Sequence, residues 1–128
     1  APFEKALGLI RQALNGRDLA ITAELDISGR ISRELGIDLI SCRVLCVVHP
    51  QLLQQAIAFG ASAATLLPLH IVVSGTGSRT LVHLLSQTSI YCSGLAAGAK
   101  AAVSKLQVRV SRALETIAVR EGLNQLIA

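Results

Sequence analysis

Apolar side chains recur at helical spacing near the start of the chain: Phe3, Ala6, Leu7, Ile10, Ala13 and Leu14 share one face, which predicts an amphipathic helix from Pro2 to Leu14. Pro2 suits its first turn and Asn15-Gly16 its stop. From Leu19 to Leu25 the period changes to two, with Leu19, Ile21, Ala23 and Leu25 alternating against Ala20, Thr22 and Glu24, as in a short strand. Asp26 or Ser28 can cap a helix through Leu35 that Gly36 closes, with Ile31 and Leu35 turned inward. Ser41 to Val48 is the strongest strand signal, and Pro50 both ends it and opens a helix with Leu52, Leu53, Ala56 and Ile57 as its stripe and Gly60 as its end. Two β-rich runs, Leu66 to Ser74 and Thr80 to Leu85, flank Gly75-Thr76-Gly77-Ser78, the pattern of a hairpin. A long helix then runs from about Ser93 to Arg120 with Leu106, Val110, Ala113, Leu114 and Ile117 in a stripe, and Gly122 breaks it before a last short turn.

The order of elements predicts an α+β fold: a two-layer sandwich with a four-stranded sheet, helices on one face and a long C-terminal helix, in a single domain over residues 1–128. The central strands are apolar at both parities, so both faces of the sheet need cover. Helices can cover one. The other falls to the C-terminal helix, a partner subunit or a ligand.

Composition sharpens that question. Hydrophobic residues make up 52%, charged residues 16%, and the mean hydropathy is +0.57. So little polar surface points to apolar patches buried against further copies of the chain, in a homodimer or higher oligomer. Membrane insertion is not expected, because no window of about 20 residues is cleanly apolar. The net charge of +4 raises nucleic acid as a partner, but aromatic residues are 2% and Trp is absent, so the bases would have almost no stacking platform. No nucleic-acid partner is expected. Lys105, Arg109 and Arg112 share a helix face, which reads as a solvated basic stripe. Three cysteines cannot all pair within one chain and favour a reducing compartment, the cytoplasm ahead of the periplasm.

Between Arg43 and Lys100 lie 56 residues with one charge, Arg79, yet all three histidines and two of the three cysteines. Cys42-x3-Cys46-x2-His49 matches neither a zinc-finger pattern nor covalent haem attachment. Cys42 and Cys46 sit four strand steps apart, about 13 Å, beyond disulfide reach. His70 stands in the apolar run Leu69-His70-Ile71-Val72-Val73, where a histidine needs a partner or a ligand. Together these residues fit a non-covalent b-type haem site. His70 and His49 would be the axial ligands, Cys46 an alternative thiolate, and Arg43, Arg79 or Lys100 the cations near the propionates. His83 is the least distinctive histidine. A hydrolase triad has no support, since no nucleophile elbow appears; Gly75-Thr76-Gly77-Ser78 lacks the Walker lysine, and Asp26 and Glu24 are too isolated for paired-carboxylate chemistry, so an enzyme is less expected than a binding protein. The expected function is thus a haem-binding oligomer for redox, gas-ligand or haem-handling roles. The alternative is a non-enzymatic homo-oligomeric assembly module without cofactor. A thiol-redox protein using Cys42 and Cys46 is a third class.

Several segments carry a family likeness: Ala23-Glu24-Leu25-Asp26, Arg33-Glu34-Leu35-Gly36, Cys42-Arg43-Val44-Leu45-Cys46, Pro50, and Leu66 through Val73. In order and spacing they resemble the domain of unknown function 302 family, over Phe3 to Gln87. The resemblance implies a small α+β fold that tends to dimerise, and it carries no established catalytic residues. Against that pattern, residues 1–87 form the family-like core and 88–128 a helical extension. The resemblance also implies Asn as the commoner residue where this chain has His49 and His70.

Overall fold

A computed structural model describes residues 3–38, 40–58, 69–76, 79–84, 97–121 and 124–127. The elements run α1 (Phe3–Asn15), β1 (Ala20–Asp26), α2 (Ile27–Leu35), β2 (Ser41–Val48), α3 (Pro50–Ala58), β3 (Leu69–Thr76), β4 (Arg79–Leu84), α4 (Ala97–Glu121) and β5 (Asn124–Ile127). Gly60, Gly77, Ser78, Cys92 and the small-residue run from Ser93 to Ala96 lie outside the described residues.

The expected stripe of α1 is buried at Ala6, Leu7, Ile10 and Leu14. Its end is fixed by backbone bonds from Gly16 N–H to Gln12 O and from Leu19 N–H to Leu14 O, with Asp18 at φ +59°. In α2 the Asp26 carboxylate caps the N-terminus by accepting from Gly29 N–H at 3.0 Å. Gly36 closes it in the left-handed region, at φ +66°. Ile31 is half-buried as expected, but Leu35 is 67% exposed. The helix packs on β2, and Leu35 in its last turn points to solvent.

Four strands, β1 to β4, form an antiparallel sheet in chain order, the sheet that the pattern predicts. β1 carries a bulge at Thr22, whose hydroxyl donates to Cys46 O at 3.3 Å. Ser28 extends this pairing past the end of β1: its Oγ accepts from Cys42 N–H at 3.0 Å and donates to Cys42 O at 3.4 Å. A fifth strand is added where a short turn was expected. β5 runs parallel to β4, with Leu81 opposite Asn124 and Leu84 opposite Ile127. Parallel neighbours need a long crossover, and α4 supplies it. Four residues are too few for their alternation to register in a sequence.

α1, α3 and α4 share one continuous core with one face of the sheet. Leu45 and Val47 of β2, Leu69, Ile71 and Val73 of β3, and Val82 and Leu84 of β4 face it. All five stripe residues of α4 are buried there, joined by Ala102 and Val103. Gly75 permits the N-terminal turn of α1 to lie on the sheet, since a Cβ at that position would come 3.1 Å from Phe3 Cβ and Cδ2.

Candidate functional site

Strand parity sorts the candidate residues. In register, Cys46 lies opposite His70, Val44 opposite Val72, Cys42 opposite Ser74, and Val72 opposite His83. These residues have the parity opposite to the core set, so they share the face of the sheet turned away from α1, α3 and α4. His70 is exposed, His83, Val44, Val72 and Cys42 are half-buried, and Cys46 is 8% exposed. The hydrophobics on this face include two of the chain's exposed large ones, Leu25 at 49% and Leu81 at 37%. His83 Nε2 is buried with no hydrogen-bond partner among the described residues.

His49 is elsewhere. It follows β2 directly, is 6% exposed, and caps α3 twice. Its Nδ1 accepts from Leu52 N–H at 3.3 Å and its carbonyl from Leu53 N–H at 2.9 Å. Pro50 occupies the first helical position, where no N–H is needed. An imidazole that accepts at Nδ1 carries its ring proton on Nε2. Metal ligation through Nε2 would move that proton to Nδ1 and break the cap. The ring also lines an open groove of about 450 Å³ with Asn15, Asp18, Leu19, Ala20 and Gln51.

Arg43 belongs to the helix-covered face. Three positions from Cys46, it has the opposite parity. Its guanidinium lies 3.9 Å from Glu24 Oε1 and 6.0 Å from the Phe3 ring centre, and its Nε is buried without a partner among the described residues. Glu24 is held mainly by Arg11, whose Nε and Nη2 donate at 2.9 and 2.7 Å. That paired hydrogen bond holds the Glu24 carboxyl below its ordinary range and raises Arg11. Arg79 is on the open face, but at the first position of β4, opposite Thr76. Six strand steps, about 20 Å, separate Thr76 from His70. Lys100 lies exposed on α4.

The structure thus brings Cys46, His70 and His83 onto one face and leaves His49, Arg43 and Arg79 apart from them. Cys42 and Cys46 are free thiols. Among the described residues no three of His, Cys, Asp and Glu converge to hold a metal ion. The capping role of His49 was readable from Pro50 at the next position, and the inward side of Arg43 from its parity.

Comparison with known proteins agrees with the fold. The sequence matches the family described as domain of unknown function DUF302 over residues 1–117. The chain belongs to that family. The match extends through most of α4, so the helix set apart as an extension lies largely within it. A crystal structure of an uncharacterized conserved DUF302 protein from Bacillus stearothermophilus superposes with a TM-score of 0.75 at 13% identity, covering 90% of each chain. At that identity the likeness speaks for the fold that this DUF302 chain adopts. No curated protein matches it. No described helix is long and apolar enough to cross a membrane.

Proposed function

We propose that this DUF302 chain is a non-enzymatic homo-oligomeric assembly module that closes its open sheet face against a second copy. The observation that carries the reading is that face: a sheet backed by three helices on one side, with Leu25, Val44, Val72 and Leu81 uncovered or half-covered on the other. A second copy is the occupant that its chemistry fits. Two-fold pairing sets a surface against itself, so charge on it would meet like charge. The described residues of this face carry one formal charge, Arg79, at the rim of the hairpin. Five strands at about 4.8 Å spacing and about 20 Å of length give roughly 500 Å² in projection. With side-chain relief that approaches the ~800 Å² per partner of a standard interface.

Sedimentation velocity on the full chain tests this. A dimer or higher oligomer is expected, and Leu81→Glu is expected to return it to monomer with an unchanged circular dichroism spectrum. A wild-type chain that stays monomeric at high concentration overturns the reading.

A second reading puts a b-type haem on His70 in the same interface. The supporting observation is an exposed imidazole on the open face, beside Val72 on β3 and opposite Cys46. A Soret band on addition of haem, lost in His70→Ala, would favour it. A flat spectrum would leave assembly alone.

A further inference from the structure

The helical side of the molecule carries an open groove of about 560 Å³ that the assembly reading does not use. One wall is α4, presenting Ser104, Lys105, Val108, Arg109 and Arg112; the other is the turn after α1, with Arg17 and Asp18. Lys105, Arg109 and Arg112 fall within about 60° around the helix and span about 10 Å along it. Four cations against one carboxylate leave the groove at a formal +3.

Three observations set this cluster apart from an ordinary solvated stripe. First, Arg17 is held in place. Its Nη2 donates to Thr116 Oγ1 at 3.3 Å, and the Thr116 hydroxyl donates to Arg112 O at 3.0 Å. The turn that carries Arg17 is itself pinned by its N–H to Leu14 O at 3.1 Å, with Asp18 at positive φ beyond it. Secondly, the four groove cations form no ion pair among the described residues, which is also true of Lys5, Arg33, Arg79 and Lys100, but here four such cations line one groove. Thirdly, Lys105 and Arg109 are four apart and Arg109 and Arg112 three apart, like-charge spacings that weaken a helix. An anion between them removes that repulsion.

We infer that this groove binds a small polyanion carrying two or three phosphoryl groups. Guanidinium forks match phosphoryl oxygens in bidentate geometry, and a groove of this volume suits a small molecule. A nucleic-acid duplex fits less well, because a strong duplex binder makes about 6–10 phosphate contacts and the groove offers four cations.

Isothermal titration of the full chain with inorganic tripolyphosphate at low ionic strength tests the inference. Binding is expected, weaker with pyrophosphate and weakest with phosphate. Arg17→Ala and Arg112→Ala should each lose about tenfold in affinity, while Arg30→Ala, a cation paired elsewhere, should bind as wild type. Circular dichroism confirms that each variant is folded. Absence of binding, or equal loss in Arg30→Ala, overturns the proposal. Duplex DNA bound more tightly through the same residues also overturns it, and would reassign the groove to a nucleic-acid backbone.

Discussion

Val72 and Val73 are the same residue on the same strand, and they live in different environments. Val73 is fully buried beneath the helices, while Val72 faces outward and is half-exposed. The contrast repeats along β3, where Leu69, Ile71 and Val73 are buried and His70, Val72 and Ser74 are not. One face has been filled by the chain's own α1, α3 and α4. The other is mixed, with Val44, Val72 and Leu81 set among Cys42, His70, Ser74 and His83, and none of α1, α3 and α4 covers it. Hydropathy therefore separates the two faces along β3 and β4. The outer face still keeps apolar surface at Leu25, Val72 and Leu81 that the core helices leave uncovered. Placing ligand-capable side chains on the outer face leaves the core unbroken, because His70 and Cys46 alternate with core residues rather than replacing them.

The comparison is broken most directly on β4, where both faces offer a leucine. Leu84 has no exposure, and Leu84→Ala should cost about 2–5 kcal/mol of unfolding free energy. Leu81 is 37% exposed, and Leu81→Ala should cost the isolated chain less than about 1 kcal/mol while weakening self-association. Urea unfolding at protein concentrations above and below the association range separates the two effects. Equal costs at high dilution would mean that the outer face is as closely packed as the inner one.

A smaller effect tests what a histidine does at the boundary between sheet and helix. His49→Ala removes the side-chain cap of α3 and should cost about 1 kcal/mol. Asn is among the best N-caps, so His49→Asn should recover all but a few tenths of a kcal/mol. Thermal melts of the three proteins give the ranking. If His49→Asn is as damaging as His49→Ala, the ring is needed for something other than its cap.

These residues also mark what was legible in the sequence. The strand Ser41–Val48, the cap and stop of α2 and the buried stripe of α4 follow from local signals: β-rich apolar runs, Asp26, Gly36 and helical periodicity. The candidate site was legible only in part. His70 and Cys46 meet because of strand register, and parity places them on one face once the hairpin is recognised. His49 is metal-capable by residue type, but its partner is the Leu52 amide three residues on, so its local geometry outweighs its chemistry. Arg17 reaches Thr116 across 99 residues of chain, and no local pattern announces such a contact. β5 was missed because a strand of four residues borrows its stability from the strand it joins.

The finest test concerns the charged cluster that Glu24, Arg11 and Arg43 form on the helix-covered face. Glu24 receives two hydrogen bonds from Arg11 and lies 3.9 Å from Arg43, and its carboxyl is held below the ordinary range chiefly by the Arg11 bonds. A carboxyl depressed in the folded state contributes stability above its unfolded pKa, and that contribution disappears as pH falls through the folded value. Glu24 and Arg11 keep side-chain exposures of 30% and 40%, so solvent screening limits the effect to less than about 1 kcal/mol. Glu24→Gln should therefore be slightly less stable than wild type near neutrality, and the gap should close in acid as the wild-type carboxyl protonates. Urea midpoints of both proteins measured from neutral to acid pH give the comparison. A gap that persists unchanged in acid would assign Glu24 a packing role. A gap that closes would show that this face, apolar at nearly every other position, is tied to α1 through charge as well as contact.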